Sequence, residues 1–117
     1  MSLCDEILGM DRGVRFVGVL DKSGRLIEAK SRPDIVGKEL MPEPLLSEVG
    51  ATLTRIVWSV SRRFSEYFGE NLRVVFHHKK LDLIVMEVKG NILLVTTEKY
   101  VKTDDLARVI RAKYVER

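Results

Sequence analysis

Cysteine and aromatic side chains are scarce in this chain, and each scarcity removes a class of protein. Cys4 is the only cysteine among 117 residues, so no intramolecular disulfide can form, the stapled folds of small secreted proteins are excluded, and a reducing, cytoplasmic setting is expected. No uncharged run approaches the ~20 apolar residues of a membrane-spanning helix. The opening stretch through Ser2, Leu3, Cys4, Asp5 and Glu6 lacks the basic start and apolar core of a signal peptide. Neither a membrane partner nor export is expected. Aromatics make up 7% of the residues, too few for the stacking platform of a single-strand binder.

Excess charge is also small. The net formal charge is +3. Residues 1–98 carry 14 basic and 14 acidic side chains, and the whole surplus lies in residues 99–117, with six basic against three acidic. Only Tyr100 and Tyr114 accompany those basic residues, which argues against a nucleic-acid surface. Arg108, Arg111, Lys113 and Arg117 read as the polar side of a helix whose other side is Leu106, Val109 and Ile110, with a surface for an acidic partner as the alternative.

What is present is the material of a soluble α+β domain. The 45% hydrophobic and 32% charged content is that of a globular protein. The length suits one domain, residues 1–117, that buries roughly 65% of its unfolded surface. Ser2 and Asp5 form a cap-like start to a helix over 3–10. Val14 to Leu20 and Arg25 to Lys30 read as strands joined at Lys22-Ser23-Gly24. Pro33, Gly37 and Pro42 make Ser31 to Glu43 a long loop. Pro44 at a helix start and Gly69 just past its end delimit a helix of about 24 residues. Its stripe of Leu46, Val49, Leu53, Ile56, Val57, Val60, Phe64, Tyr67 and Phe68 is expected to face a core.

Three more extended runs follow, Leu72 to His77, Leu81 to Val88 and Ile92 to Glu98, with turns at His78-Lys79-Lys80 and Gly90-Asn91. A last helix begins with Thr103 as its cap. It carries Asp104 and Asp105 in its first turn and Arg111 and Lys113 near its end, the favoured polarity for a helix dipole. Leu83-Ile84-Val85-Met86 and Ile92-Leu93-Leu94-Val95 are apolar at consecutive positions, so both faces of those strands require cover. The expected architecture is α-β-β-α-β-β-β-α, a five-stranded antiparallel sheet between one long helix and two terminal helices.

That order, with Arg15-Phe16-Val17-Gly18-Val19-Leu20-Asp21-Lys22-Ser23-Gly24-Arg25-Leu26, resembles the roadblock and dynein-light-chain family of the profilin-like group, and within it the small uncharacterised archaeal members. The resemblance implies a non-enzymatic scaffold that dimerises through the long helix and the first strand of the meander, here Leu45 to Phe68 and Leu72 to His77. It also implies that some members regulate small GTPases, and it carries no catalytic residues, metal or cofactor. On the strand it points to Arg73 and Val75 as interface positions.

On the helix, the interface is read from the residues themselves. Trp58 lies about 140° from the centre of the apolar stripe, beside Ala51, Arg55, Arg62 and Ser65. It is expected to be exposed in a monomer, as an interface hot spot or as a surface ring under an arginine. A second candidate surface is the loop, with Ile35, Val36, Lys38, Leu40 and Met41, flanked by Arg32 and Glu39. His77 and His78 are adjacent on an extended run and point to opposite sides, so they cannot share an ion. Cys4 lacks a partner for nucleophilic chemistry, and no phosphate-binding glycine loop is present.

The function expected is therefore a homodimeric, or paralogue-paired, interaction domain with an unidentified protein client. The alternative is a small-molecule sensor, which requires a pocket of ~300 Å³ or more between sheet and helix, where an interaction module is expected to be filled. A nucleic-acid binder is the third and least supported reading.

Overall fold

The computed structural model describes residues 2–38 and 40–116, with Glu43 described by its backbone alone. The chain runs α1 (Leu3–Leu8), β1 (Val14–Leu20), β2 (Leu26–Ser31), a 3-10 turn (Pro33–Ile35), α2 (Glu43–Phe68), β3 (Val74–His77), β4 (Asp82–Val88), β5 (Asn91–Thr97) and α3 (Thr103–Tyr114). Elements and order match the expectation, with differences at their ends. Ser2 caps α1 as its hydroxyl accepts from the Asp5 amide, but the helix stops at Leu8. Thr103 is the first residue of α3, preceded by Lys102, whose side chain makes no capping bond. The proline-rich connection holds one 3-10 turn, started by Pro33.

All five strands pair antiparallel in the order β2-β1-β5-β4-β3. Val88 pairs with Asn91, so the β4–β5 turn consists of Lys89 and Gly90, one residue before the position expected. Both have positive φ, 53° and 80°, as the two-residue turn that matches strand twist demands. The β1–β2 turn is organised by Asp21, whose Oδ1 accepts from the amides of Ser23 and Arg25.

Side chains alternate across the sheet into two cores. Val17, Val19, Ile84, Met86, Leu93 and Val95 meet α1 and α3 through Cys4, Ile7, Leu106 and Ile110. Leu20, Val85, Ile92 and Leu94 face α2, with Leu46, Leu53, Val57 and Trp58 packed against them. The uninterrupted apolar runs of β4 and β5 exist because both sides are covered.

The rotation of α2 differs from the one expected. Leu46, Leu53 and Val57 do pack on the sheet, but Val49, Ile56, Val60, Phe64, Tyr67 and Phe68 remain 44–79% exposed. The sheet-facing side is instead centred near Gly50, Thr54, Val57 and Ser61, with Trp58 inside it. The cause is the close approach at small residues. Gly24 has φ +88°, and a Cβ there would lie 2.5 Å from the Cα of Ala51, while a Cβ on Gly50 would lie 3.1 Å from Leu20 Cδ1. The helix rests on the β1–β2 hairpin where neither side has bulk to spare, and this contact sets its rotation.

Gly24→Ala combines left-handed backbone strain with that clash and is expected to destabilise the fold by about 2 kcal/mol or more. A thermal melt should show Tm lowered by on the order of 10 °C.

Candidate functional site

An apolar surface is left open on a second arc of α2, about 100° round the helix from the sheet-facing one. Leu45, Val49, Ile56, Val60 and Tyr67 form it, and the stacked rings of Phe64 and Phe68, with centroids 5.6 Å apart, extend it at the helix C-terminus. A third arc is polar and exposed, with Glu48, Thr52, Arg55, Ser59, Arg63 and Glu66. Leu72 and Phe76 are exposed alongside β3. That strand is the last in the sheet, paired only with β4, so its outer edge offers unpaired backbone donors and acceptors.

The residues expected at the interface are therefore dispersed. Trp58 is half-buried against the sheet, its Nε1 is buried with no hydrogen-bond partner among the described residues, and Arg62 lies over the ring at 5.2 Å from its centroid. Ala51 is pressed on Gly24. Ser65 is half-buried, with its hydroxyl donating to the Ser61 carbonyl. Arg55 is on the polar arc. Arg73 Nε donates to Asp104 at 3.1 Å and Val75 packs in the core beside α3, so both lie on the other side of the sheet. The reason is the rotation of α2: Ala51, Trp58 and Ser65, read as outward, are on its inner side, while Val49, Ile56, Val60 and Tyr67 of the stripe read as core are on its outer side.

The loop also divides. Ile35 is buried, whereas Val36, Lys38, Leu40 and Met41 are exposed, and Glu39 lies outside the described residues. Ile35, Leu40 and Met41 border a cavity of about 430 Å³ between the N-terminal half of α2 and the sheet. The space on this side of the sheet is thus not filled, and it exceeds the size that a ligand-binding reading requires. Phe16, Leu83, Leu94 and Thr96 form the floor, and Leu46, Val49, Gly50 and Leu53 the roof.

At one end of the cavity is a charged cluster. A register shift between Val14 and Phe16 accommodates Arg15 as an extra residue in β1. Its Nη1 donates to Glu98 Oε2 at 2.9 Å, and the same oxygen accepts from Arg32 Nη2 at 2.9 Å. Desolvation pushes the Glu98 pKa up, but the bonds from Arg32 and Arg15 outweigh it and hold the carboxyl below its ordinary value.

Across the sheet, an open cleft of about 540 Å³ at the start of α3 is lined by His77, Asp82, Lys99, Lys102, Asp104, Asp105 and Arg108. Burial pushes the Asp82 carboxyl up, and bonds from Lys99 and His77 overcome this and lower it. His77 thus sits in this cleft while His78 borders the cavity on the opposite face. No group of three metal-ligating side chains occurs among the described residues. The basic residues of α3 are engaged: Arg111 binds Glu70 and Glu116, Arg108 is 3.5 Å from Asp105, and Lys113 is 3.6 Å from Glu6. Arg117 lies outside the described residues. Burial and the neighbouring Glu28 push the Cys4 thiol far up. No described helix is long and apolar enough to cross a membrane.

Compared by sequence, the chain matches no family model and no curated protein. Its architecture does match solved structures. The roadblock/LC7 domain from Streptomyces avermitilis superposes with a TM-score of 0.69 at 14% identity, over 94% of this chain and 87% of that one. The fold is the roadblock fold. MglB from Myxococcus xanthus shares it at TM-score 0.66 and 18% identity, covering 94% and 83% of the two chains. The gliding protein MglB from Thermus thermophilus does so at 0.63 and 13%, covering 97% and 87%. Within this roadblock fold, the element expected to carry an interface, α2, is the one whose apolar arc is uncovered here.

Two outcomes test this electrostatic description. Native Cys4 should resist a thiol reagent at neutral pH and react only on unfolding. Glu98, held below its ordinary 4.5 in the folded state, contributes stability that is complete above that value and is lost as pH falls through the folded pKa. Urea midpoints should therefore drop below about pH 4.5, and Glu98→Gln should lower the neutral midpoint and flatten that decline.

Proposed function

We propose that this chain is a non-enzymatic interaction domain that works as a homodimer, joined through the outer arc of α2 and the free edge of β3. One observation carries the reading: an apolar arc with members 44% or more exposed runs along a 26-residue helix and continues to an unpaired strand edge. A surface of that kind is costly in water and self-complementary about a two-fold axis, because helix meets helix and edge meets edge. The partner is thus a second copy of the same chain.

A neighbour in fold supports self-association. One solved MglB structure, 13% identical with a TM-score of 0.65, is described as having a tetrameric arrangement, so association of the fold with itself has precedent in that protein. That the chain is a scaffold regulating a small GTPase rests on the resemblance in sequence pattern. The cavity beside α2 favours a second reading, in which a small molecule is also bound.

Val60→Asp and Ile56→Asp should each bring the sedimentation mass down to the monomer while the far-UV spectrum is kept. A wild-type chain that sediments as a monomer at micromolar concentration would defeat the dimer. Trp58→Ala, by contrast, should leave association intact and cost about 2 kcal/mol of stability, because the indole is packed on the sheet. For the client, capture on the wild-type chain from its own cells should enrich a GTPase. Capture without one would remove that part of the reading.

A further inference from the structure

The cavity under α2 is bounded on nearly every side by apolar carbon and has one polar end. Phe16 could fill it but does not. Its ring is folded down along β1, so close over Gly18 that a Cβ there would lie 2.9 Å from Phe16 Cε2. Glycine at 18 therefore gives the ring its place on the floor and leaves the space above it free. The roof is held in position by the rest of α2 on the hairpin at Gly50 and Ala51, so the cavity cannot close by a small sinking of the helix. At about 430 Å³ it falls in the range of about 300–1,000 Å³ typical of small-molecule sites, which are mostly apolar with a few convergent polar groups.

The polar groups here are Arg15, Ser31, Thr96 and His78. Arg15 is the distinctive one, with a side chain only 15% exposed. It shares a single oxygen of Glu98 with Arg32, and the second acid of this cluster, Asp34, is 65% exposed and bonded to Arg32, so among the described residues the Arg15 side chain donates only to that shared oxygen. A guanidinium forms its strongest contacts with carboxylates, through paired N–H donors. We propose that the cavity binds a small aliphatic carboxylic acid, its chain lying between Phe16 and Leu53 and its carboxylate at Arg15. The site adds a ligand to the interaction domain, and Val49 is shared between its roof and the outer arc.

Saturated carboxylates of six, eight and ten carbons are the probes, titrated into the ¹⁵N-labelled full chain. Amide shifts should centre on Phe16, Ile35, Leu53 and Thr96, and affinity should rise about three- to fourfold per added methylene, the value for burying that group. 1-Decanol, which lacks the charge, should bind at least tenfold more weakly than decanoate, and Arg15→Met should remove that difference. Thr96→Phe and Leu53→Trp, which fill the space, should abolish the shifts in folded protein. The proposal is overturned if affinity is independent of chain length, if decanol matches decanoate, or if the shifts map to Ile56, Val60 and Phe64 on the outer arc. Chain-length dependence is read on the unsubstituted protein, so it decides the matter even if a filled variant does not fold. Sedimentation of the same samples keeps this result separate from the dimer.

Discussion

The contact between the β1–β2 hairpin and α2 governs what the molecule presents to its surroundings. Gly24 and Ala51 approach so closely that not even a methyl added to Gly24 fits between them, and a helix seated at one such point has little freedom to roll. Its rotation decides which apolar residues face the sheet and which face outward. The turn that supplies Gly24 is in turn shaped by Asp21, whose carboxylate ties down the amides of Ser23 and Arg25. A few atoms in a hairpin thus determine the exposed surface of an element more than twenty residues away.

The seat is an imperfect one. Thr54 Oγ1 and Trp58 Nε1 face the sheet, one turn apart, buried and without hydrogen-bond partners among the described residues. An unsatisfied buried polar atom costs about 1–3 kcal/mol. The packing of α2 on the sheet is interrupted again by the cavity near its N-terminal half. A helix held this lightly, with its outer arc apolar, gains from any partner that covers that arc. The proposed pairing would therefore add to the stability of the layer as well as to assembly, and folding and association would be linked.

Much of the architecture was legible because it is local or periodic. The strands of β4 and β5 announced two covered faces through unbroken apolar runs, and Pro33, Pro42 and Gly69 marked the ends of regular structure. The rotation of α2 was not legible in the same way. Hydrophobic periodicity identifies an apolar side, and this helix has two apolar arcs: one for the sheet and one left open. The stripe from Leu46 to Phe68 averaged them into one. Trp58 stood apart from that average and so was read as outward. The signal that separates the arcs is size: Gly50, Ala51, Ser61 and Ser65 lie on the inner side, where a helix must come close, while Val49, Ile56 and Val60 are bulky and outward. The cavity was foreseen only as a criterion, since an empty volume depends on how Phe16 folds over Gly18 and has no signature in spacing.

The two borders of the sheet are not alike. At β2, α1 is tied to the strand: the Cys4 amide donates to Glu28, and Lys30 pairs with Asp5, so charged side chains guard that border against a further strand. At β3 the border is bare. A molecule with one adhesive rim and one guarded rim can satisfy itself by meeting a single twin, after which nothing sticky remains. In the proposed pairing, growth into a ribbon would thereby be blocked, and the stoichiometry would stop at two along this direction.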